Sequence, residues 1–430
     1  MKDVIAAIAT AQGRGGVAVV RLSGEGSLEI AKRVFSRKGE YAPNYLYPGT
    51  IDCDTFTDFG MCVYFRAPKS FTGEDVVEFH CHGGTQIAQG VLRKVLKEGA
   101  RVAERGEFTK RAFLNGKLSL SAAEGMVDMI NAQSEAQVRA GYLLYGEKLT
   151  EEGKSLQAML TECLAGIDAD IDYPEEDLTA DSRAQTAETL KKVLARLCVL
   201  RKQYRAGEKI KSGVQVAICG KPNAGKSALL NALLGYDKAI VSSVAGTTRD
   251  VVEGTVELNG VLFHLTDTAG LHESEDEIEK EGIRRAEKMI SSSDVILYVK
   301  DGEDFTYSFP ANVPVITVVS KGDLGNRTGG DLTVSSLTGE GIDALKELLY
   351  EKGFGRENDG AMLLEERHYA AVLRAEEGCG NALVLIEEGA PAELYALEIN
   401  RAWSALGEIS GETATEAIIG EIFAKFCVGK

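Results

Sequence analysis

A glycine-rich stretch near the middle of the 430-residue chain carries the residue types that bind a polyphosphate. It reads Gly220-Lys221-Pro222-Asn223-Ala224-Gly225-Lys226-Ser227. Its glycines allow backbone N–H groups to curl around an anion at the N-terminus of a helix, where the helix dipole also favours negative charge. Lys226 can then reach the β- and γ-phosphates of a nucleotide, and Ser227 can offer its hydroxyl to Mg²⁺. We therefore predict a phosphate-binding loop, with an ordinary glycine-rich turn as the alternative.

The residues on either side of this loop match the structural context that it requires. The apolar run Val214–Cys219 precedes it and reads as a strand. Apolar residues recur at helical spacing from Ala228 to Leu234 directly after it. A strand, a glycine-rich turn and a helix in this order are typical of nucleotide-binding proteins.

Two further stretches supply groups for the metal and the γ-phosphate. Gly246-Thr247-Thr248-Arg249-Asp250 contains a threonine able to sense the γ-phosphate through Mg²⁺. The predicted strand Val261–Thr266 leads into Asp267-Thr268-Ala269-Gly270. A carboxylate at a strand end can hold Mg²⁺ through water, and the glycine can turn its N–H toward the γ-phosphate.

The remaining pair of stretches indicates which base is bound. The predicted strand Val313–Val319 leads into Ser320-Lys321-Gly322-Asp323, and Ser335-Ser336-Leu337 follows the short strand Leu332–Val334. Asp323 can accept two hydrogen bonds from the N1–H and the exocyclic amine of guanine, a donor pattern that adenine lacks. The nucleotide is therefore predicted to be GTP, and the motifs in this order resemble the five-motif set of translation-factor-like GTPases.

One position departs from that set, because Ser320 stands where the pattern has Asn. The Asn amide normally ties the base site to the phosphate-binding loop, and a hydroxyl makes fewer such bonds. We expect a lower nucleotide affinity, with the choice of guanine left to Asp323.

The pattern of apolar residues predicts a multidomain fold with three parts. Residues 1–118 alternate short strands, such as Val17–Leu22 and Val76–His82, with helical stretches at 28–35 and 87–96, which indicates an α+β domain. Residues 119–210 and 354–430 read as an α-helical domain with long amphipathic helices at 119–170 and 190–204. Residues 211–353 form an inserted α/β P-loop GTPase (Ras-like) domain, joined by glycine-rich linkers at 207–213 and 353–360.

The net charge and the spacing of the cysteines limit which partners the protein can bind and in which cellular compartment it is expected. The net charge of −17 argues against nonspecific coating of nucleic acid. Contact with RNA must then be local or come from a partner, and Arg101, Arg105, Lys110, Arg111 and Lys117 are candidates, with solvated helix faces as the alternative. The eight cysteines form no CxxC pair, and no apolar run is long enough to span a membrane. We expect reduced thiols and a cytoplasmic location.

Three polar side chains of the predicted N-terminal strands require an explanation. Arg21 lies in an otherwise apolar strand, so its charge is either paired or binds an anion. His80 and His82 lie two residues apart on one face of a strand, which makes a metal pair conceivable. Structural or ligand-positioning roles are favoured for them, because no matching carboxylate or cysteine is nearby in the sequence.

Taken together, the motifs resemble the MnmE (TrmE) family of tRNA-modification GTPases over essentially the full length. The matches beyond the nucleotide motifs are Gly13–Val17, Phe71–Asp75, His82–Gly84, Gly106–Thr109, Arg111–Asn115 and the terminal Cys427–Lys430, in which Val428 replaces the usual Ile. The resemblance implies a homodimer that joins a flavin-dependent partner (MnmG/GidA-like) in a heterotetramer or larger complex. Such complexes add a (carboxymethyl)aminomethyl group to C5 of the wobble uridine of certain tRNAs, using a 5-formyl- or methylene-tetrahydrofolate as one-carbon donor.

The resemblance also implies site residues in the N-terminal domain and at the C-terminus. Arg21, Glu78, Lys117 and Lys430 match the family's folate-binding positions, and Arg21 and Lys117 could meet glutamate carboxylates while Glu78 meets pterin N–H groups. Cys427 matches a functionally required cysteine, with a buried structural thiol as the alternative.

For the nucleotide site, the resemblance implies a full set of binding positions. They are Asn223, Ala224, Gly225, Lys226, Ser227, Ala228, Ser242, Ser243, Val244, Ala245, Gly246, Thr247, Thr248, Asp267, Thr268, Ala269, Gly270, Ser320, Lys321, Asp323, Ser335 and Ser336. Of these, Ser227 and Thr248 would bind Mg²⁺, and Asn223, Ser242, Val244 and Thr247 would bind K⁺.

Hydrolysis needs a group to orient the attacking water, and Ras-like enzymes use a Gln after the glycine of the Asp267–Gly270 motif. Leu271 stands there and cannot orient water. Alignment to the family points to Glu279 instead, acting through a bridging water. K⁺ would replace an arginine finger, with Arg249 as the rival. Two other functions compete with this prediction, a GTPase switch in ribosome assembly and a folate-dependent transferase that the GTPase merely regulates.

Overall fold

The structure is a computed structural model that describes residues 3–172, 179–235, 252–267, 288–301, 309–325, 329–355 and 365–429. The chain divides into two compact units. The first comprises Met1–Val127, Leu144–Ala165 and Asn400–Lys430, and the second comprises Asp128–Leu143 and Gly166–Ile399. Each unit has its own six-stranded sheet.

The sheet of the first unit is antiparallel except at one edge. Its strands are β1 (Ile5–Ile8), β2 (Val17–Ser23), β3 (Leu46–Asp52), β4 (Thr57–Phe65), β5 (Val76–His82) and β6 (Arg101–Val102), in the spatial order β3-β4-β5-β2-β1-β6. Helices α1 (Ser27–Val34) and α2 (Thr85–Lys97) cover one face, where Val20, Leu22 and Phe79 are fully buried. The predicted α+β class, both strands and both helical stretches are confirmed.

Helix α3 (Glu107–Leu114) lies over the opposite face and carries Arg111, one of the five candidate RNA-contacting residues. Arg111 is only 2% exposed, and it donates to Asp3, Glu74 and Glu107. Arg101 binds Asp3 and Glu107 as well. Both arginines are therefore ion-paired within the protein, Arg111 in the interior and Arg101 at the surface.

The helical stretches are divided differently from the prediction. Residues 119–170 form three helices rather than one, namely α4 (Leu120–Asn131), α5 (Glu135–Tyr145) and α6 (Lys148–Asp172). Glu147, with φ of 60°, marks the break before α6. The next helix, α7 (Thr179–Ser212), continues through the predicted linker at 207–213. That linker prediction was wrong, because Ala206 and Ile210 continue the buried face of the helix.

The sheet of the second unit is the predicted α/β sheet, with one antiparallel edge. Its strands are β7 (Val214–Cys219), β8 (Val252–Leu258), β9 (Val261–Asp267), β10 (Val295–Lys300), β11 (Val315–Val319) and β12 (Leu332–Thr333). The spatial order is β12-β11-β10-β7-β9-β8, and among these described strands only the β8–β9 pair is antiparallel. Helices α8 (Lys226–Gly235) and α9 (Ile342–Gly353) belong to it. Because chain order reverses around β7, its carboxyl end is where doubly wound sheets bind ligands.

Three further helices complete the described chain, α10 (Glu366–Glu387), α11 (Ala392–Ser410) and α12 (Glu416–Ala424). Helix α10 packs along α7, with Tyr369 stacked on Tyr204 at a centroid distance of 4.1 Å. Helix α12 packs its Ile422 and Phe423 against Leu120 of α4. Within the described ranges, no helix is long and apolar enough to cross a membrane.

A cluster of charges joins the ends of α4, α7 and α10 in the second unit. Lys211 Nζ lies 3.3 Å from Asp128 Oδ1 and also contacts Glu365, the residue before α10. Burial and the neighbouring charge of Glu365 raise the pKa of Asp128 to about 7, although Lys211 opposes the shift. The second oxygen, Asp128 Oδ2, is buried and has no hydrogen-bond partner among the described residues.

Candidate functional site

The predicted phosphate-binding loop lies at the carboxyl end of β7, between β9 and β10. The loop passes so close to β10 that a Cβ at Gly220 would stand 2.2 Å from the carbonyl oxygen of Val299. Only glycine fits there, and Gly220 also has φ of 150°. Asn223 turns the loop in the left-handed conformation, with φ of 62°.

Lys226 begins α8 and points back into this loop. Its Nζ donates to the carbonyl oxygens of Gly220 (2.9 Å) and Lys221 (3.0 Å), and the side chain is only 9% exposed. A buried ammonium held by loop carbonyls lies where the phosphates of a nucleotide bind in such loops.

A serine and an aspartate from neighbouring strands meet beside the loop. In the parallel ladder between β7 and β9, Ile218 stands opposite Asp267, so the end of β9 reaches the start of α8. Ser227 Oγ donates to Asp267 Oδ2 at 3.2 Å. The other oxygen, Asp267 Oδ1, is buried and has no hydrogen-bond partner in the part of the chain that the structure describes. Hydroxyl and carboxylate oxygens are the ligands that Mg²⁺ prefers, so the pair suits that ion.

The loop after β11 is fastened to the phosphate-binding loop by two side chains. Ser320 is 2% exposed, and its Oγ donates to the carbonyl oxygen of Ala224 at 2.6 Å, with the Lys300 carbonyl at 3.2 Å. Lys321, in the left-handed conformation, donates from Nζ to the Asn223 carbonyl at 3.1 Å and also pairs with Asp301. The Ser320 hydroxyl therefore connects the two loops, which is the role of the Asn in the usual GTPase pattern.

Asp323 is held in place by the loop after β12. Ser335 is fully buried and donates from Oγ to Asp323 Oδ1 at 2.7 Å. The N–H of Gly322 donates to the carbonyl of Val334 at 3.0 Å, which fixes the backbone beside it. The Asp323 side chain itself is exposed, with Ser336 next to Ser335 in the same turn. An oriented, solvent-facing carboxylate is suited to receive the two N–H donors of a guanine edge.

Several predicted site residues lie outside the described residues. These are Ser242, Ser243, Val244, Ala245, Gly246, Thr247, Thr248, Thr268, Ala269, Gly270, Glu279 and Lys430, together with Arg249 and Leu271. The described members of the nucleotide set lie together at the carboxyl ends of β7, β9, β11 and β12.

In the first unit, Arg21 and Glu78 stand directly opposite each other on β2 and β5. Arg21 Nε donates to Glu78 Oε1 at 2.7 Å, so the charge in the strand is paired. The guanidinium carbon lies 5.6 Å from the ring centroid of Phe71 and 5.8 Å from that of Phe108, within cation–π range. Burial opposes ionisation of Glu78, but His80 and Arg21 together hold the pKa of its carboxyl below the usual value.

Lys117, the remaining predicted folate residue within the described chain, and the two histidines each contact a different partner. Lys117 is exposed, and its Nζ donates to the carbonyl of Pro68 at 3.1 Å. His80 Nε2 lies 3.2 Å from Glu78 Oε2, and His82 Nδ1 lies 2.7 Å from Asp58 Oδ1. Each histidine therefore has its own carboxylate, and the described residues contain no group of three or more potential metal ligands.

The chain terminus returns to the first sheet and presents Cys427 to solvent. Val428 bridges to Arg105, and a Cβ at Gly429 would stand 2.3 Å from the carbonyl oxygen of Ile8. Cys427 is exposed, so the alternative of a buried structural thiol is wrong. By contrast, burial raises the pKa of the Cys62 thiol to about 12. The eight cysteines all lie within the described residues and form no disulfide.

Two of the sequence motifs of the first unit, Phe71–Asp75 and Arg111–Asn115, contact each other. Glu74, from the Phe71–Asp75 motif, accepts from Arg111 Nη1 at 3.1 Å. Asn115 Nδ2 donates to the carbonyl of Thr72 at 2.7 Å. Sequence reasoning treated these residues as family matches without assigning contacts, and it missed Ser335 as the residue that orients Asp323. The sequence offered only the spacing of the motifs, and spacing does not show which side chains contact each other in the fold.

Two glycine turns of the first unit line a cavity of about 300 Å³. The turn Gly13–Gly15 forms one side, and Gly83 and Gly84 at the start of α2 form the other. A Cβ at Gly83 would stand 2.3 Å from the carbonyl oxygen of Gly15, so the close approach of the turns requires glycine.

The loop at the end of the central strand, the carboxylate beside it and the oriented Asp323 define a P-loop GTPase. The chain belongs to the MnmE (TrmE) family of tRNA modification GTPases, and it is a GTP hydrolase. The profile described as "GTP-binding protein TrmE N-terminus" matches residues 4–117, and that described as "MnmE helical domain" matches residues 120–427.

Three relatives named "tRNA modification GTPase MnmE" are similar over the whole chain. One from Thermus thermophilus is 41% identical over 445 residues, covering 100% of this chain and 99% of its own. The one from Aquifex aeolicus is 38% identical over 449 residues, covering 100% of both chains. The one from Lactobacillus helveticus is 36% identical over 455 residues, covering 100% of this chain and 98% of its own.

Proposed function

We propose that this GTPase drives the modification of C5 of the wobble uridine of certain tRNAs, adding a (carboxymethyl)aminomethyl group. The observation that carries the proposal is the full-length similarity to tRNA modification GTPases, which extends beyond the GTPase motifs to both ends of the chain. A protein that resembled this family only in its GTPase domain would not match the family's N-terminal profile, which here covers residues 4–117.

In this proposal, the described nucleotide residues bind and orient GTP. The Lys226 ammonium releases the Gly220 and Lys221 carbonyls and donates instead to the β- and γ-phosphates. Ser227 and Asp267 would hold Mg²⁺ through their side-chain oxygens. The partnerless Asp267 Oδ1 fits this assignment, because a buried carboxylate oxygen needs a cation or a donor. Mg²⁺, when bound, neutralises charge on the phosphate oxygens. Ser320, Lys321, Asp323, Ser335 and Ser336 hold the guanine.

Hydrolysis is assigned to residues that the family resemblance identifies. Glu279 orients the attacking water, and Thr248 completes the Mg²⁺ site. We assign K⁺ to the Asn223 side chain together with Ser242, Val244 and Thr247, since the Asn223 carbonyl already accepts from Lys321. K⁺, when bound, would neutralise charge between the β- and γ-phosphates. Faster turnover in KCl than in NaCl of equal ionic strength is expected, and equal rates would contradict the assignment.

We further propose that the first unit binds a tetrahydrofolate through Arg21, Glu78, Lys117 and Lys430. The Arg21 guanidinium and the Glu78 carboxylate fit such a ligand, because folates carry both glutamate carboxylates and pterin N–H donors. Phe71, which is half-buried next to Arg21, also offers a ring face that suits an aromatic ligand. Cys427 is the exposed thiol that we assign to the chemistry of modification.

The proposal includes an arrangement of domains and partners. Residues 1–118 form a folate-binding, dimerising domain, residues 211–353 form the GTPase, and residues 119–210 with 354–430 form the helical domain. The chain acts as a cytoplasmic homodimer with a flavin-dependent partner of the MnmG/GidA kind, in a heterotetramer or larger complex. K⁺ promotes association of the two G domains of the dimer, and this association drives the conformational cycle of the enzyme.

The test is mass spectrometry of tRNA nucleosides from the native organism with and without this gene. We expect the deletion to lose an aminomethyl-type substituent on the wobble uridine. Restoring the wild-type gene should return it, whereas Lys226→Ala should not. Lys352→Ala, at an exposed position of α9, serves as the matched lysine control. Unchanged nucleosides together with altered ribosomal subunits would favour a ribosome-assembly GTPase instead.

A further inference from the structure

The β8–β9 hairpin of the GTPase sheet is a stiff element with one end at the nucleotide site. All seven residues of β8 pair with β9, from Val252 opposite Asp267 to Leu258 opposite Val261. Seven residues extend about 20 Å along a strand. Because both strands are paired throughout, the hairpin is expected to move as one body.

The end at the nucleotide site is fixed by two contacts with α8. Asp267 accepts from Ser227 Oγ, as described above. Further along, β8 lies so close to α8 that a Cβ at Gly254 would stand 2.4 Å from Leu234 Cδ1. A shift of Asp267 or of α8 therefore displaces the hairpin.

The other end of the hairpin, a two-residue Asn259–Gly260 turn with positive φ at both positions, touches α5. The backbone N–H of Ala136 donates to the Gly260 carbonyl at 2.9 Å. The backbone N–H of Glu135 donates to Glu257 Oε1 at 3.2 Å. Two of the first N–H groups of α5 are thus satisfied by the hairpin, and these groups have no partner within their own helix.

The chemistry of this contact makes α5 sensitive to the position of the hairpin. A carboxylate at the N-terminus of a helix is stabilised by the helix dipole as well as by the hydrogen bond. Gln137 of the same turn donates from Nε2 to the Lys211 carbonyl at 3.0 Å, which links α5 to the end of α7. Moving the hairpin away would remove two N-terminal partners of α5 at once.

We propose that the β8–β9 hairpin couples the nucleotide site to the helices by capping the N-terminus of α5, with Glu257 as the positioning residue. This inference rests on the proposed GTP cycle. It identifies the contact through which a change at the nucleotide site would alter the helices of the second unit. A ligand can shift such a contact only if it favours one position of the hairpin, so the contact must differ between nucleotide states.

The test measures amide hydrogen exchange in α5 of the full-length protein, with GDP and with a non-hydrolysable GTP analogue. We expect exchange at residues 135–137 to differ about fivefold between the two nucleotides, since loss of an N-terminal cap has an effect of that size. In Glu257→Ala the difference should shrink, most of all at residue 135, because the Gly260 carbonyl alone of the two hairpin contacts remains. GDP affinity and the GTP hydrolysis rate should stay at the wild-type level. Glu257→Gln keeps an acceptor but loses the charge, so it should retain part of the difference.

A matched control is Glu347→Ala, an exposed carboxylate on α9, which should keep the full difference. The proposal is overturned if wild-type α5 exchanges equally in both nucleotides, or if folded Glu257→Ala keeps the wild-type difference. Fluorescent-nucleotide binding measured in the same samples shows that the site is loaded. Unchanged tRNA nucleosides in the deletion strain would refute the proposed function and leave this exchange result unaffected.

Discussion

Replacing Ser320 by alanine removes the hydroxyl that ties the guanine loop to the phosphate-binding loop. The Ser320 Oγ to Ala224 carbonyl hydrogen bond is 2.6 Å long, and both residues are 2% exposed. Alanine leaves a buried carbonyl without this donor, which costs about 1 to 2 kcal/mol. Base and phosphates must bind at a fixed spacing, so we expect the loss to weaken nucleotide affinity.

Because the hydrogen bond exists before the nucleotide binds, this cost sets an upper limit on the change, a factor of about 5 to 30 in the dissociation constant. The lower part of that range is expected, because Lys321 still joins the two loops through the Asn223 carbonyl. The change should appear as faster dissociation rather than slower association. Selectivity for guanine should stay, since Ser335 still holds Asp323.

The assay is titration and stopped-flow dissociation of fluorescent GDP and GTP, with ATP as competitor. Ser293→Ala is the matched control, because its hydroxyl donates only to the nearby Ile290 carbonyl. Ser320→Asn restores the residue of the family pattern and should bind GDP at least as tightly as the wild type. Wild-type affinity in a folded Ser320→Ala variant would refute the reasoning, and gain of ATP binding would show that the serine, not Asp323, selects the base.

Three other perturbations have expected outcomes. Asp267→Asn removes the charge of the proposed Mg²⁺ site, so GTP hydrolysis should fall about 100-fold and need more Mg²⁺, as a magnesium titration would reveal. The pKa of Asp128 is raised to about 7, above its unfolded value, so ionisation destabilises the folded state and this group adds stability as pH falls below 7 toward 4. Urea unfolding at pH 8 and pH 6 should therefore show a smaller pH dependence for Asp128→Asn, and an unchanged dependence would contradict the assignment. Arg21→Gln should weaken binding of 5-formyl-tetrahydrofolate about tenfold by calorimetry while leaving GTP hydrolysis intact, and unaltered folate affinity would remove Arg21 from that site.

The sequence alone determined the kinds of element and the chemistry of the nucleotide site. Apolar runs such as Val214–Cys219 predicted strands, and this strand is buried at every position except Gln215 because helices cover both faces of a parallel sheet. The glycines, Lys226 and Ser227 predicted the phosphate-binding loop, since close backbone approach and a fixed spacing leave few alternatives. Both signals are local, which is why they could be read without a structure.

The tertiary structure decided which distant residues meet. It paired Arg21 with Glu78, buried Arg111 among acidic side chains and exposed Cys427, and none of these follows from local periodicity. It also extended α7 through the predicted linker, because packing of Ile210 outweighs the low helix propensity of glycine. The substitution at Ser320 predicted a weaker connection, whereas the fold brings its hydroxyl within 2.6 Å of the Ala224 carbonyl. Residue types set the possible chemistry, and strand order set the distances at which that chemistry can act.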